Sequence, residues 1–309
     1  EVVVVGYGAQ KKAHLTGAVE TIKAKEVEDL PVSNLGAALT GRVLGLNVSG
    51  GTSRPGSQAT LTIRNPLSLA KDGGNNNPLF VIDGVIQVTS QGLNDPSLFN
   101  SLDPSEVESI TILKDGAAAV YGSRASNGAI IVTTKRGTAG KTRITYSGSY
   151  AVNDELYRTK MMSAYELARY INIVNGPLGF DEDDEPDYFF SDDELEHFKT
   201  INHDWLDQAW RSAYNTRHGL NLSGGTDKTN YFANVSYYTQ DGNLGKLDYG
   251  KWTYRAGLDA EVAAGLKASL QIGGNHQNLS RVNSEIGGEN AENDYRNLLK
   301  APRRVPTYI

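Results

Sequence analysis

The chain of 309 residues has no cysteine and only two methionines. Disulfides and thiolate metal sites are therefore excluded. No apolar run approaches the roughly 18–20 residues that a membrane-spanning helix needs. That excludes a helical span but leaves a β-barrel open, because barrels cross with short alternating strands. An excess of basic charge is also missing: the net charge is −6, which argues against a nucleic-acid partner. The acidity is local. Residues 181–196 hold ten acids and no base, and setting them aside leaves the remainder at +4. Catalytic signatures are lacking as well. Gly6-Tyr7-Gly8 has no third glycine of a dinucleotide fingerprint, and no Walker loop, nucleophile elbow or His-Glu-x-x-His occurs. The five histidines are scattered, and His197 and His203 lie six apart, which is not a helical ligand spacing. The expectation is a protein that is not an enzyme and carries no cofactor.

What the chain has in quantity is glycine (33) and tyrosine (16), a composition of extended structure with many turns. Residues 110–132 read as an apolar strand (Ile110, Ile112, Leu113), a small-residue crossover, and a second strand from Ala129 to Val132 after Asn127-Gly128. Residues 1–140 read as a mixed α/β unit. Its predicted strands include Val2–Val5, 17–22, 45–48, 61–64 and 79–84. A helix is predicted over 31–44 with Ser33 as N-cap, and a helix start at Pro104.

After Gly140 the period changes to two. Ile144, Tyr146, Gly148, Tyr150 and Val152 alternate with polar neighbours over about ten residues, the length of a transmembrane β-strand. The pattern returns at 220–223, 231–238, 252–260 and 266–272. Connections alternate between long (153–214, 241–250) and short (225–229, 261–265), the outer-membrane arrangement of outward loops and periplasmic turns. Tyr and Trp near strand ends suit an interfacial girdle. A soluble β-sandwich also alternates, but the loop contrast and the aromatic content favour the barrel. Five strands cannot close one, since about eight is the minimum. The expectation is therefore a piece of a longer protein, beginning downstream of any targeting segment because Glu1–Val5 has no signal-peptide features.

Four ordered motifs carry a family resemblance. Glu1-Val-Val-Val-Val-Gly-Tyr-Gly-Ala-Gln-Lys-Lys12 resembles the end of the N-terminal extension, and Leu39-Thr-Gly-Arg-Val-Leu-Gly-Leu-Asn-Val48, Asn77-Pro-Leu-Phe-Val-Ile-Asp-Gly-Val85 and Leu102-Asp-Pro-Ser-Glu-Val-Glu-Ser-Ile-Thr-Ile-Leu-Lys-Asp115 resemble plug elements, of SusC/RagA-like TonB-dependent outer-membrane transporters; the 111–136 segment resembles their plug signature. Arg64-Asn65-Pro66 departs from the Arg-Gly usual there. The resemblance implies an α+β plug domain followed by antiparallel strands of a transmembrane barrel of about twenty-two strands, incomplete in this chain. It divides the sequence into a TonB box and linker (1–12), a plug (13–140), and first barrel strands with extracellular loops (141–309). It further implies plug-gated uptake across the bacterial outer membrane and contact with outer-membrane lipid. Its partners would be TonB with the inner-membrane energising complex and a SusD-like surface lipoprotein, and its cargo an oligosaccharide or peptide. The alternative function is a non-transporting surface β-protein that binds glycan or protein through loop 153–214.

The candidate sites follow. Val2, Val3, Val4 and Val5 resemble a TonB box, an extended segment recognised by strand addition. Lys114, Asp115, Tyr121 and Arg124 are candidates for a plug-anchoring polar cluster or a turn network. Asp83-Gly84 reads as a turn in which Asp83 bonds local backbone. Gly122, Asn127 and Gly128 complete the plug signature. Tyr188, Phe189, Trp205 and Trp210 are ligand or partner candidates in the long loop, against packing within it. Asp181, Asp183 and Asp184 form a weak Ca²⁺ candidate that lacks the spaced acidic loop pattern; a solvated loop is favoured.

Overall fold

The computed structural model describes residues 2–5, 8–11, 18–28, 30–51, 54–63, 76–175, 189–245, 247–281 and 291–306. The chain divides into two compact units. One comprises Glu1–Val152, Tyr214–Gly242 and Leu247–Ser280, the other Asn153–Ala213, Asn243–Lys246 and Arg281–Ile309.

In the first unit, β1 (Val2–Val5) and β2 (Gly8–Lys11) pair antiparallel as a sheet of their own. Next come β3 (Val19–Lys23), a 3-10 turn (Ala24–Glu26) and α1 (Leu35–Ala38). β4 (Leu46–Gly50) pairs with β5 (Ala59–Ile63). β6 (Leu79–Ile82), β7 (Val85–Gln87) and α2 (Ser97–Ser101) follow, then a 3-10 turn (Pro104–Glu106) and β8 (Val107–Leu113). A 3-10 stretch (Asp115–Ala125) leads to β9 (Ala129–Thr134). The central sheet has the order β3-β8-β9-β6-β7. β6 runs parallel to β9, and the other pairs are antiparallel. β6 and the first four residues of β9 (Ala129–Val132) are apolar without a break because both faces are buried there; β8 is apolar at Ile110, Ile112 and Leu113 and carries Glu108, Ser109 and Thr111 between its apolar positions. One face packs Ile22, Ile82, Ile110, Ile112, Ile130 and Val132 against Leu35, Leu61 and Phe99. The other packs Val81, Leu113 and Ile131 against Ala118 and Ala125 of the crossover.

Two local expectations change. The helix predicted over 31–44 is only Leu35–Ala38, and its cap is Asn34 rather than Ser33: Asn34 Oδ1 accepts from the Ala37 N–H at 2.7 Å. Gly41, at φ +70°, lies outside helical space and keeps the turn short. Gly128 is required twice. Its φ is +84°, and a Cβ there would stand 2.7 Å from Ile63 Cδ1 and 2.9 Å from the Leu113 carbonyl.

The same unit holds a second five-stranded sheet, in chain order: β10 (Gly140–Asn153), β11 (Ala213–Gly225), β12 (Thr229–Asp241), β13 (Leu247–Ala263) and β14 (Leu266–Arg281). The turns at one end are tight. Residues 226–228 are closed by Thr226 N–H to the Thr229 carbonyl at 2.7 Å, and Ala264-Gly265 closes the next pair. The connection expected over 241–250 is the shorter 242–246, because the ladder of β12 and β13 extends to Asp241 and Asp248. The two faces carry opposite chemistry. Asn215, Arg217, Asn234, Ser236, Lys251 and Thr253 point one way and are at most 5% exposed. Leu220, Val235, Trp252, Tyr254, Leu258, Leu270 and Ile272 are all exposed, and Tyr237 stacks on its cross-strand neighbour Trp252 at 4.4 Å. A soluble sandwich would bury the apolar face. Here the polar face is buried, which is the arrangement of a lipid-facing wall.

The second unit carries α3 (Ala164–Asn175), α4 (Asp192–Phe198), α5 (Trp205–Ala209) and α6 (Ala291–Lys300). α4 opens with a Ser191–Glu194 capping box. Arg158 faces Asp207 at 3.3 Å and Asp204 at 3.9 Å, and Arg303 reaches Asp204 at 2.7 Å.

Candidate functional site

The buried polar face of the wall meets the α/β body along an ionic seam. The body contributes Asp83 from the β6–β7 turn, Asp103 at the cap and Glu106 at the end of the 3-10 turn before β8, and Thr134 at the end of β9. The wall contributes Arg217 from β11 and Lys251 and Arg255 from β13. Strand alternation aims all three bases inward. Arg217 Nε lies 3.5 Å from Asp103 Oδ2, with both side chains under 5% exposed. Arg255 lies 3.3 Å from Asp83 Oδ2 and 3.5 Å from Glu106 Oε2. Asp83 also accepts from the Thr134 N–H at 2.9 Å and from its hydroxyl at 2.6 Å. Asp83 is thus both paired and hydrogen-bonded, as a buried charge requires, whereas among the described residues Glu106 Oε1 has no hydrogen-bond partner.

The two acids at the turn differ. Burial disfavours the charge on Asp103, but Arg217, Ser105 and Lys251 outweigh it and hold the carboxyl below its usual range. Burial dominates at Glu106 and raises it to about 7. Arg255 pulls it down, and Asp103 adds to the rise.

Backbone is held at the same seam. Arg217 donates to the carbonyls of Glu28 (3.3 Å), Leu30 (3.1 Å) and Val32. Asn215 donates to the Pro31 carbonyl at 3.3 Å, and Lys251 to the Ser33 carbonyl at 3.3 Å. The Arg217 guanidinium sits over the Tyr238 ring at 5.6 Å.

The sequence candidates distribute as follows. Asp83 has positive φ (+49°) and bonds Thr134 and Arg255, far along the chain, rather than the local backbone expected of a turn Asp. Gly84 at φ +84° completes its turn. Lys114 is buried and bonds Glu20 at 2.7 Å and the Leu44 carbonyl at 2.5 Å, both inside the body. Tyr121 packs on the crossover side of the core. Arg124 is exposed, and its carbonyl accepts from Asn94. Asp115 opens the 3-10 stretch, Gly122 bends it at φ +73°, and Asn127 and Gly128 turn the chain into β9. Lys114 and Arg124 thus do not meet in one anchoring cluster. The anchoring contacts run instead through Asp83, Asp103 and Glu106. The sequence signal for their partners was the row of bases at inward positions of alternating strands, Arg217, Lys251 and Arg255.

Val2–Val5 form β1, paired with β2 in the register Val2↔Lys11 to Val5↔Gly8. In the loop unit, Trp210 Nε1 donates to Asp154 at 2.8 Å and its ring meets Tyr295 edge-on at 6.0 Å. Trp205 Nε1 donates to the Val305 carbonyl at 3.1 Å. Both tryptophans are thus engaged in packing the unit, while Phe189 is 55% exposed. Tyr188, Asp181, Asp183 and Asp184 lie outside the described residues. Among the described residues no acid and histidine group is arranged to hold a metal.

Comparison with known proteins agrees with this geometry. Residues 11–129 match the TonB-dependent Receptor Plug Domain. The chain is 34% identical to the TonB-dependent receptor SusC of Bacteroides thetaiotaomicron, over 84% of this chain and 24% of that protein. It is 31% identical to a TonB-dependent receptor of Formosa agariphila, over 94% of this chain and 28% of that protein. The chain therefore spans about a quarter of the length of these curated relatives. Among solved structures, the RagAB peptide importer in its closed-closed state superposes with a TM-score of 0.73, over 94% of this chain and 33% of that one, at 23% identity; this shows the shared fold. With a body bonded to an inward-polar, outward-apolar strand wall, residues 11–129 form a TonB-dependent receptor plug domain, and the chain as a whole is similar to SusC-like TonB-dependent receptors, proteins of the bacterial outer membrane.

Proposed function

We propose that this chain supplies the plug and the first wall strands of an importer that takes up a nutrient across the outer membrane. The observation that carries the reading is the seam: a folded body bonded to the polar face of a wall whose other face is apolar. A body fastened inside a wall blocks passage until it moves. In this reading residues 1–12 are the TonB box and linker, 13–140 the plug, and 141–309 wall strands and outward loops.

Val2–Val5 are the docking strand for TonB. β1 has one edge paired with β2, and TonB adds along the other through main-chain hydrogen bonds. Cargo bound from outside shifts the population in which that strand is free, and force transmitted by TonB from the energising complex then moves part of the plug. The cargo is an oligosaccharide or a peptide, and a SusD-like lipoprotein covers the outer mouth. Support for these last points is similarity alone: SusC on one side, and on the other a neighbour described as a peptide importer. The role is transport rather than catalysis.

The test is deletion of residues 2–5 in the full-length protein. The expected result is loss of cargo uptake with outer-membrane insertion and surface binding of cargo unchanged. Uptake that survives the deletion would refute the box assignment.

A further inference from the structure

We propose that Arg217, with Asn215 and Lys251, forms a clasp on residues 28–33 that limits how much of the plug can be drawn out from its N-terminal end. The proposal rests on the reading of Val2–Val5 as the point where force enters. Upstream of the clasp, attachment among the described residues is light. β3 is an edge strand with one neighbour, β8, and its five residue pairs run from Val19↔Leu113 to Lys23↔Ser109. Drawn from its free end, such a ladder opens one pair at a time. Glu20 adds an ion pair to Lys114, and Ile22, Ala24 and Val27 add buried apolar contacts.

At residues 28–33 the attachment changes in kind. Five carbonyls, of Glu28, Leu30, Pro31, Val32 and Ser33, accept from three side chains of the wall. The side chains of Leu30 and Val32 pack against the plug core at the same time. Lys135 closes on Glu28 at 2.7 Å. Arg217 is itself fixed by Asp103, so it cannot follow the segment it holds. Directly after Ser33, Asn34 donates to the carbonyls of Gly51 (3.2 Å) and Ser57 (3.1 Å), which ties that residue to the plug body. Pulling therefore frees residues up to 27 and then loads all these bonds together. Removal of β3 bares the edge of β8 and leaves the rest of the sheet against the wall.

The test is single-molecule extension of the full-length protein in lipid, pulled from its N-terminal end. The expected trace has a first event that ends near residue 27, about 90 Å of chain at roughly 3.4 Å per residue, and a second event at higher force. Arg217→Gln should bring the second force down to the first. Arg217→Lys should lie between, because an ammonium cannot fork to several carbonyls. Asn215→Leu and Lys251→Met leave the Arg217–Asp103 pair intact, so they serve if Arg217→Gln fails to insert; each should lower the second force. A wild-type trace that runs past residue 33 in one event, or a second force that these variants leave unchanged, overturns the clasp.

A cellular arm separates the clasp from the TonB reading. Cysteines placed singly at Ile22 and Val43 are probed with a maleimide during uptake, with and without TonB. Labelling at Ile22 alone, extending to Val43 in the Arg217 variants, supports both. Equal labelling at both sites in the otherwise wild-type protein overturns the clasp. A two-step trace with no TonB-dependent labelling at Ile22 upholds the clasp and removes the TonB reading.

Discussion

Neutralising Glu106 should change how the plug's attachment depends on pH. Glu106 is 2% exposed, and burial raises its pKa from 4.5 to about 7. A raised carboxyl means that the folded state binds the proton more tightly than the unfolded chain. Its contribution is therefore complete below pH 4.5 and is lost as pH climbs through about 7. The difference between 4.5 and about 7 corresponds to about 3.5 kcal/mol across that window. Asp103 works in the opposite sense below this range: its lowered pKa gives stability that disappears as pH falls beneath 3.8. The two effects therefore occupy different windows. The assay is urea unfolding of the plug in the full-length protein in lipid, followed by pulse labelling of a cysteine at buried Val43, between pH 4.5 and 8. Wild type should lose stability across the range, and Glu106→Gln should flatten the profile. A wild-type profile that rises with pH, or a Glu106→Gln profile with the same slope, would refute the reasoning.

Other outcomes follow from individual residues. Gly128→Ala combines positive φ with a Cβ 2.7 Å from Ile63 and should cost about 2–3 kcal/mol by the same unfolding assay. Asn34→Ala removes a helix cap and two buried carbonyl bonds, for a loss of about 2–3 kcal/mol. Val235→Arg, on the exposed face of β12, should cost about 2–4 kcal/mol in lipid; in a soluble sheet it would be nearly neutral, so an unchanged folding equilibrium in vesicles would count against a lipid-facing wall.

The strands were legible because periodicity survives in one chain read alone. Ile144 to Val152 and Trp252 to Ala260 alternate regardless of what they pack on, and β10 and β13 contain those stretches. The apolar runs at 79–82 and 129–132 likewise announced strands buried on both faces. Helix length was not legible: Leu35, Leu39 and Val43 share a helical spacing, yet the helix ends at Ala38 and Gly41 turns at positive φ. Nor could the seam be read. Lys114 and Arg124 stand ten residues apart in a recognisable motif, so they invited grouping, but one is buried against Glu20 and the other exposed. The basic partners of Asp83 and Asp103 lie more than a hundred residues away, on strands whose inward bases looked like ordinary polar alternation. The row of inward bases was the one signal, and alternation alone does not say which acid each base meets.

The wall strands are also longer than a membrane demands. β13 has 17 residues and β14 has 16, whereas about 9–11 cross the hydrocarbon layer. The outward residues show where the surplus lies. On β14 they run Leu266, Ala268, Leu270, Ile272 beside the tight turn, then Gly274, His276, Asn278 and Ser280; on β12, Tyr231 to Tyr237 gives way to Thr239 and Asp241. The end away from the tight turns has thus left the oil. The sheet continues there as a water-washed parapet of about six residues, some 20 Å at roughly 3.3 Å each before tilt. The wall thus rises as a polar rim beyond its apolar band instead of stopping where that band stops.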